Sequence, residues 1–165
     1  MLVRRMEDSD LDAVLALNQG ALDGVGTLTA DRLEEIVGYA EQSVVSTDAE
    51  GVLSGFALTL PPGTPYDSLN YRWYEEQFDA DDFAYLDRVV VAPEFRRRGV
   101  GTLLYNVLEE RARARELMAL EVYVDPPNEP SLAFHRARGY TEVGRLDQPN
   151  GKKVAMLVKR VGGPR

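Results

Sequence analysis

The 165-residue sequence predicts an α/β fold, a mixed α+β arrangement around one central sheet, and three observations carry that prediction. About seven strand-like runs are interspersed with about four amphipathic helical stretches. Gly-bearing turns join the second run to the third and the sixth to the seventh, as antiparallel hairpins require. A long helix separates the fourth run from the fifth, so those two strands need a parallel crossover. With 44% hydrophobic residues the chain is expected to fold as a single domain over residues 1–160, with 161–165 as a frayed tail.

Residues 2–6 open as a strand, and Asp8 or Ser9 is placed to cap a helix reaching about Leu22, with Leu11, Val14, Leu15 and Asn18 on one face. Gly24-Val25-Gly26 interrupts it, and a second helix starts at Thr29 with Leu33, Ile36, Val37 and Ala40 at helical spacing. Residues 43–47 and 52–60 are strands, and Asp48-Ala49-Glu50-Gly51 between them is a hairpin turn. Residues 61–82 follow neither period. Their three Pro, one Gly and five aromatics (Tyr66, Tyr71, Trp73, Tyr74 and Phe78) read as a binding loop. Residues 83–91 form the longest strand, 99–116 a helix with Val100, Leu103, Leu104, Val107 and Leu108 on one stripe, and 120–124 the next strand. After Pro126-Pro127, a short helix over about 129–138 ends at Gly139, and strands at 141–146 and 152–159 close the chain around the turn Asp147-Gln148-Pro149-Asn150-Gly151.

Composition narrows the function. A formal net charge of −8 opposes phosphate-backbone binding, so no nucleic-acid partner is expected. The N-terminus lacks a signal-like apolar stretch and no run is long enough to span a membrane, so a soluble protein with no membrane partner is expected. The absence of Cys removes disulfides and thiolate nucleophiles and points to a cytoplasmic location. Without Cys and with a single His, no metal site is expected.

Against this acidic background Arg96-Arg97-Arg98 is a local positive cluster. It lies in Val89-Val90-Val91-Ala92-Pro93-Glu94-Phe95-Arg96-Arg97-Arg98-Gly99-Val100-Gly101, a strand, a basic glycine turn and a helix start. Unpaired N–H groups and the helix dipole at such a terminus suit a pyrophosphate, and glycines let the anion approach the backbone. Taken alone, Arg-x-x-Gly-x-Gly also fits a solvated basic helix start. In its strand-turn-helix setting it resembles motif A of the GNAT acetyltransferase superfamily. The spacing lacks the third glycine of a dinucleotide fold and the Gly-Lys-Ser/Thr of a P-loop. A second stretch, Asn128-Glu129-Pro130-Ser131-Leu132-Ala133-Phe134-His135-Arg136-Ala137-Arg138-Gly139-Tyr140, is similar to motif B of the same superfamily. Asn70-Tyr71-Arg72-Trp73, Tyr85-Leu86-Asp87-Arg88 and Phe134-His135 further resemble an uncharacterised bacterial subgroup. The resemblance spans about residues 2–159, by order of elements alone before Phe83.

That resemblance implies a sheet splayed at its fourth and fifth strands and acetyl-CoA as co-substrate. It places the pantetheine arm along Val89, Val90 and Val91, and the pyrophosphate on the basic turn, Arg96 to Arg98 with Gly99, Val100, Gly101 and Thr102. It assigns Asn128 and Ser131 to the cofactor arm, and Asn128 equally suits an N-cap. His135 stands where the family usually has the Tyr that protonates the departing thiolate; an imidazole can do this, and a packed histidine is the alternative. Asp87 interrupts an apolar strand and is the candidate base, with an ion pair to a nearby Arg as its alternative and Glu121 and Tyr123 as weaker candidates. Tyr66, Asp67, Tyr71 and Trp73 combine ring faces with a carboxylate, a set suited to a cationic amine on a small molecule or peptide, with anchoring of the long segment onto the core by its aromatics as the alternative. Direct acetyl transfer to that amine is the expected activity, with a noncatalytic acyl-CoA-binding module as the alternative and a homodimer compatible with either.

Overall fold

Alternating apolar residues and a few fixed turns determine most of the architecture. The computed structural model describes residues 1–22, 24–79 and 82–162. In chain order it contains β1 (Leu2–Arg5), α1 (Leu11–Gln19), α2 (Ala30–Tyr39), β2 (Gln42–Thr47), β3 (Leu53–Leu60), α3 (Leu69–Gln77), β4 (Phe83–Val91), α4 (Val100–Arg111), β5 (Leu117–Asp125), α5 (Glu129–Ala137), β6 (Thr141–Asp147) and β7 (Lys153–Arg160). The strands form one mixed seven-stranded sheet in the order β1-β2-β3-β4-β5-β7-β6, the expected α/β class. The chain divides into two compact units, Met1–Pro61 with Leu86–Arg111, and Pro62–Tyr85 with the residues from Ala112 onward.

In the first unit the β2–β3 hairpin forms as the sequence predicts. Asp48 Oδ1 accepts from the N–H groups of Glu50 (3.0 Å) and Val52 (2.8 Å), and Gly51 takes φ +84°. This fixes the antiparallel register Ser43↔Leu58 and Val45↔Phe56, and β1 pairs antiparallel with β2. Thr29 caps α2 through Arg32 N–H. Val14, Leu33, Ile36, Val44, Phe56, Leu58, Leu104 and Leu108 make the core of this unit. α1 stops at Gln19 rather than Leu22, and a short 3-10 turn at Asp8–Asp10 precedes it. Gly55 lets neighbouring elements close on β3: a Cβ there would lie 2.7 Å from the Val90 carbonyl oxygen and 3.3 Å from Val100 and Leu104. That close approach seats the first turn of α4 on the strands beneath it.

In the second unit the parallel ladder between β4 and β5 runs from Phe83↔Leu117 to Tyr85↔Ala119, the opening third of two nine-residue strands. This short ladder agrees with the splay expected there. β7 pairs antiparallel with both β5 and β6. Gly139 (φ +88°) ends α5, and Gly151 (φ +80°) turns β6 into β7.

Two expectations are corrected. The stretch taken for a loop contains a helix, α3, whose N-terminus is capped by Ser68 Oγ accepting from Tyr71 N–H. Tyr71 and Tyr74 lie one helical turn apart and are both buried; the Pro- and Gly-rich approach masked this short apolar stripe, which adds a fifth helix among the described residues to the about four expected. The tail is held further than expected. Val161 and Gly162 N–H both donate to the Glu116 carbonyl, and a Cβ at Gly162 would run into the Arg115 carbonyl. Residues 163–165 of the expected tail lie outside the described residues.

Candidate functional site

The basic turn after β4 is built from three local choices. Pro93 starts a single 3-10 turn over Pro93–Phe95, Arg97 takes a left-handed φ of +58°, and Gly99 takes φ +81°. The first backbone bond of α4 runs from Leu103 N–H to the Gly99 carbonyl, so the amides of Val100, Gly101 and Thr102 precede the helical ladder. A Cβ added at Gly99 or Gly101 would meet no protein atom within 4 Å. The glycine at 101 therefore leaves room outside the fold rather than within it. Arg96, Arg97 and Arg98 are exposed, and the Arg98 guanidinium lies 5.6 Å from the centre of the Phe95 ring. Amides that precede the helical ladder at a helix N-terminus, an open glycine and a basic rim suit a polyphosphate, and a coenzyme A pyrophosphate fits this donor set. Val89 and Val91 are half-buried on one face of β4 and Val90 is buried on the other.

Asp87 does not stand as an isolated base. Its side chain is 5% exposed and accepts from Arg88 Nε at 2.7 Å. Arg88 Nη1 continues to Asn18 Oδ1 (2.9 Å) and to the Gly26 carbonyl (3.3 Å). Asn18 Nδ2 donates to the same Gly26 carbonyl and to Gln19 Oε1, which also accepts from Leu28 N–H. One buried network thus ties α1 and the segment leading to α2 to the middle of β4. The ion pair weighed against a base role at Asp87 is present.

On α5, Asn128 serves as the N-cap, with Oδ1 accepting from Ser131 N–H at 3.2 Å. His135, 5% exposed, lies edge-on to the rings of Phe134 and Tyr140. Its Nδ1 is 2.7 Å from the Ser131 carbonyl oxygen, and Ser131 Oγ is 3.3 Å away. A carbonyl can only accept, so Nδ1 carries the proton and the neutral ring presents a lone pair at Nε2. Donation from Nε2 therefore takes the imidazolium form.

The proposed acceptor residues separate by burial. Tyr71 is 1% exposed; its hydroxyl accepts from Thr64 N–H and donates to Glu75, and burial pushes its phenol up from the ordinary value. Tyr66 packs edge-on against it at 5.7 Å. Both rings face the interior. Asp67 is exposed, and Trp73 is half-buried against Gly144, where a Cβ would come within 2.7 Å of the indole. Nearby in the same unit, the Tyr85 hydroxyl lies 2.9 Å from each oxygen of Glu121. Tyr74 places its hydroxyl between the Leu120 and Leu157 carbonyls; burial first, and then the charge of Glu121, raise its phenol well above the ordinary value.

Sequence reasoning passed over Gly55, the role of Arg88, and the Tyr85–Glu121 pair. A signal existed for the middle one: Asn18 on an apolar helix face and Arg88 in an apolar strand are polar residues that need partners inside. Among the described residues no group of three or more His, Asp or Glu side chains is arranged to hold a metal ion, and no helix is long and apolar enough to cross a membrane.

Comparison with known proteins adds independent findings. The model of the acetyltransferase (GNAT) family matches residues 5–140. An aminoglycoside N(6')-acetyltransferase type 1 from Klebsiella aerogenes is 27% identical over 150 residues, covering 88% of this chain and 92% of that protein. An L-methionine sulfoximine/L-methionine sulfone acetyltransferase from Pseudomonas aeruginosa is 28% identical over 147 residues, covering 87% and 82%. The crystal structure of an aminoglycoside 6'-N-acetyltransferase complexed with coenzyme A superposes with a TM-score of 0.75 at 19% identity, covering 100% of this chain and 99% of that one. At that identity the superposition speaks for the fold.

Proposed function

We propose, for a chain that belongs to the acetyltransferase (GNAT) family, that the acceptor is a cationic primary amine carried by a small molecule or a peptide. The family and the relatives make the chain an acetyl-CoA-dependent N-acetyltransferase. The acceptor class is supported by the net charge of −8 and by exposed Asp67 and half-buried Trp73 on the segment around α3. With Tyr66 and Tyr71 turned inward, selection falls to Asp67 and Trp73. The cysteine-free composition supports a cytoplasmic setting.

The observation that carries the cofactor assignment is the open glycine turn. Bound acetyl-CoA supplies an acetyl group activated as a thioester. In this reading the amides of Arg97 to Thr102 hold its pyrophosphate, Arg96 and Arg98 add charge at the rim, and the strand around Val89, Val90 and Val91 offers its backbone to the pantetheine arm. Asn128 caps α5 through the Ser131 amide, and the family resemblance assigns both residues to the cofactor. His135, as the imidazolium, is the proton donor to the thiolate. Asp87, paired with the charge of Arg88, holds that arginine in the buried network with Asn18 and is thereby a weaker candidate for the base.

Thiol release from acetyl-CoA with a panel of amines tests this. Aminoglycosides, polyamines and peptide amines should turn over, and acceptors carrying a carboxylate beside the amine should not. Turnover confined to anionic acceptors would contradict the reading.

A further inference from the structure

We propose that the Tyr123 ring is a subsite for a second cationic group on the acceptor, and that Lys152 is the resident cation the acceptor displaces from it; this deepens the amine-acetylation reading and rests on it. Lys152 Nζ lies 4.9 Å from the centre of the Tyr123 ring, within the range at which a ring quadrupole holds an ammonium. Both residues are half-buried. Among the described residues Lys152 forms no ion pair, although the chain carries a net charge of −8, whereas its neighbour Lys153 lies 3.4 Å from Asp147. A ring face that holds one ammonium, with no carboxylate to fix it there, can hold another of the same charge.

The pair is tied to the end of α3 that carries Asp67. Gln148 N–H donates to the Lys152 carbonyl at 2.8 Å across the β6–β7 turn, and Gln148 Nε2 donates to Asn70 Oδ1 at 2.9 Å. Asn70 stands in the first turn of α3, just beyond exposed Asp67 and the cap residue Ser68. Trp73, one turn further along the same helix, rests on Gly144 of β6. The hairpin bearing Lys152 is therefore fastened to the helix that bears Trp73, at the end where Asp67 lies. Tyr123 enters from β5, beyond the last parallel pair Tyr85↔Ala119 and on the same strand face as Ala119. It sits near the carboxyl end of that strand, where open α/β sheets bind ligands.

A ring face favours the charged form of an amine, so the group it holds stays protonated and cannot attack the thioester. The cation on Tyr123 is thus a second one, carried apart from the nitrogen that is acetylated. Such a subsite selects diamines and polycationic amines. For these acceptors the exchange is nearly even, since the second ammonium gains the ring and Lys152 gives it up to water. Removing the lysine makes binding tighter, and removing the ring matters only once the lysine is gone.

The test measures amine KM for the full-length wild type, Lys152→Met, Tyr123→Leu and the double variant. The acceptors are α,ω-diamines from 1,3-diaminopropane to 1,6-diaminohexane and n-alkylamines of the same chain lengths. Lys152→Met should lower KM for the preferred diamine at least about threefold, with the monoamines and acetyl-CoA unaffected. Tyr123→Leu alone should change it by less than about twofold, and in the double variant it should abolish the gain. A gain that survives in the double variant is repulsion by the lysine charge and overturns the subsite. So does a KM that rises in Lys152→Met, or one that changes equally for both series. In the wild type, proton NMR should find the Lys152 Cε protons shifted upfield by the ring and returned to their ordinary position by saturating diamine. Signals that a saturating diamine leaves in place overturn the displacement, and this measurement stands even where Tyr123→Leu fails to fold. Thiol release with these amines but without the KM pattern removes the subsite and leaves amine acetylation standing. A wild type that releases no thiol with either series, nor with the aminoglycosides and peptide amines, overturns both.

Discussion

Arg88 turns back along β4 to grip its own neighbour, with Nε 2.7 Å from the Asp87 carboxylate, while Nη1 at the far end of the guanidinium holds Asn18. Successive strand residues point to opposite faces, so this contact needs the length and fork of an arginine. Replacing Arg88 with Met keeps most of the volume and removes every donor. Breaking a buried pair in this way leaves Asp87 and Asn18 without that partner, and Arg88→Met should cost about 3 kcal/mol in urea unfolding. A loss under about 0.5 kcal/mol would show the network to be incidental.

The Arg4–Asp10 pair sets part of the acid stability. Arg4 donates through both Nη atoms to Asp10 at 2.7 and 2.8 Å, and this bond from Arg4 holds the Asp10 carboxyl below its ordinary value. A depressed folded-state value means the stabilisation is present above the unfolded value, about 3.9, and is lost as pH falls through the folded one. Asp10→Asn should therefore lower the melting temperature at pH 7 and narrow its gap to the wild type as pH falls below the unfolded value. A gap that stays constant from pH 7 to pH 2 would contradict the assignment.

For His135, nitrogen-15 NMR of the neutral ring should find the proton on Nδ1, as the 2.7 Å contact to the Ser131 carbonyl demands. If His135 protonates the thiolate, His135→Phe should reduce kcat with coenzyme A affinity intact, and His135→Tyr should retain more activity. Equal losses of melting temperature and rate in both variants would make the residue a packing element.

Asp67→Ala and Trp73→Ala should each raise KM for the amine several-fold without changing that for acetyl-CoA, and added salt should weaken amine binding by screening. Amine KM values that hold steady in both variants and across a salt titration would assign acceptor choice to other residues.

Much of this molecule is legible from its sequence because its signals are local. The β2–β3 hairpin follows from Asp48 and Gly51, the end of α5 from Gly139, and the extent of β4 from an apolar run that the structure reproduces at Phe83–Val91. The basic turn was visible for the same reason, since its glycines and arginines are contiguous. What escaped reading depended on partners distant in sequence. α3 buries Tyr71 and Tyr74 against residues far along the chain, with Tyr74 bonding to Leu120 and Leu157, and nothing in residues 61–82 announces those carbonyls. Gly55 looks like an ordinary strand residue until the Val90 carbonyl is found beside it. Glu121, read only as a weaker candidate base, and Tyr85 are separated by 36 positions, and nothing local pairs them.

The central claim is that the glycine turn between β4 and α4 receives the pyrophosphate of acetyl-CoA on backbone amides. Titration calorimetry of coenzyme A against the wild type and Gly101→Val tests it most directly. The added side chain meets no protein atom within 4 Å of its Cβ, so the fold should tolerate it. The variant should melt within a few degrees of the wild type and bind coenzyme A at least about tenfold more weakly, about 1.4 kcal/mol. A folded Gly101→Val that binds coenzyme A with unchanged affinity would contradict the account and move the cofactor away from this turn.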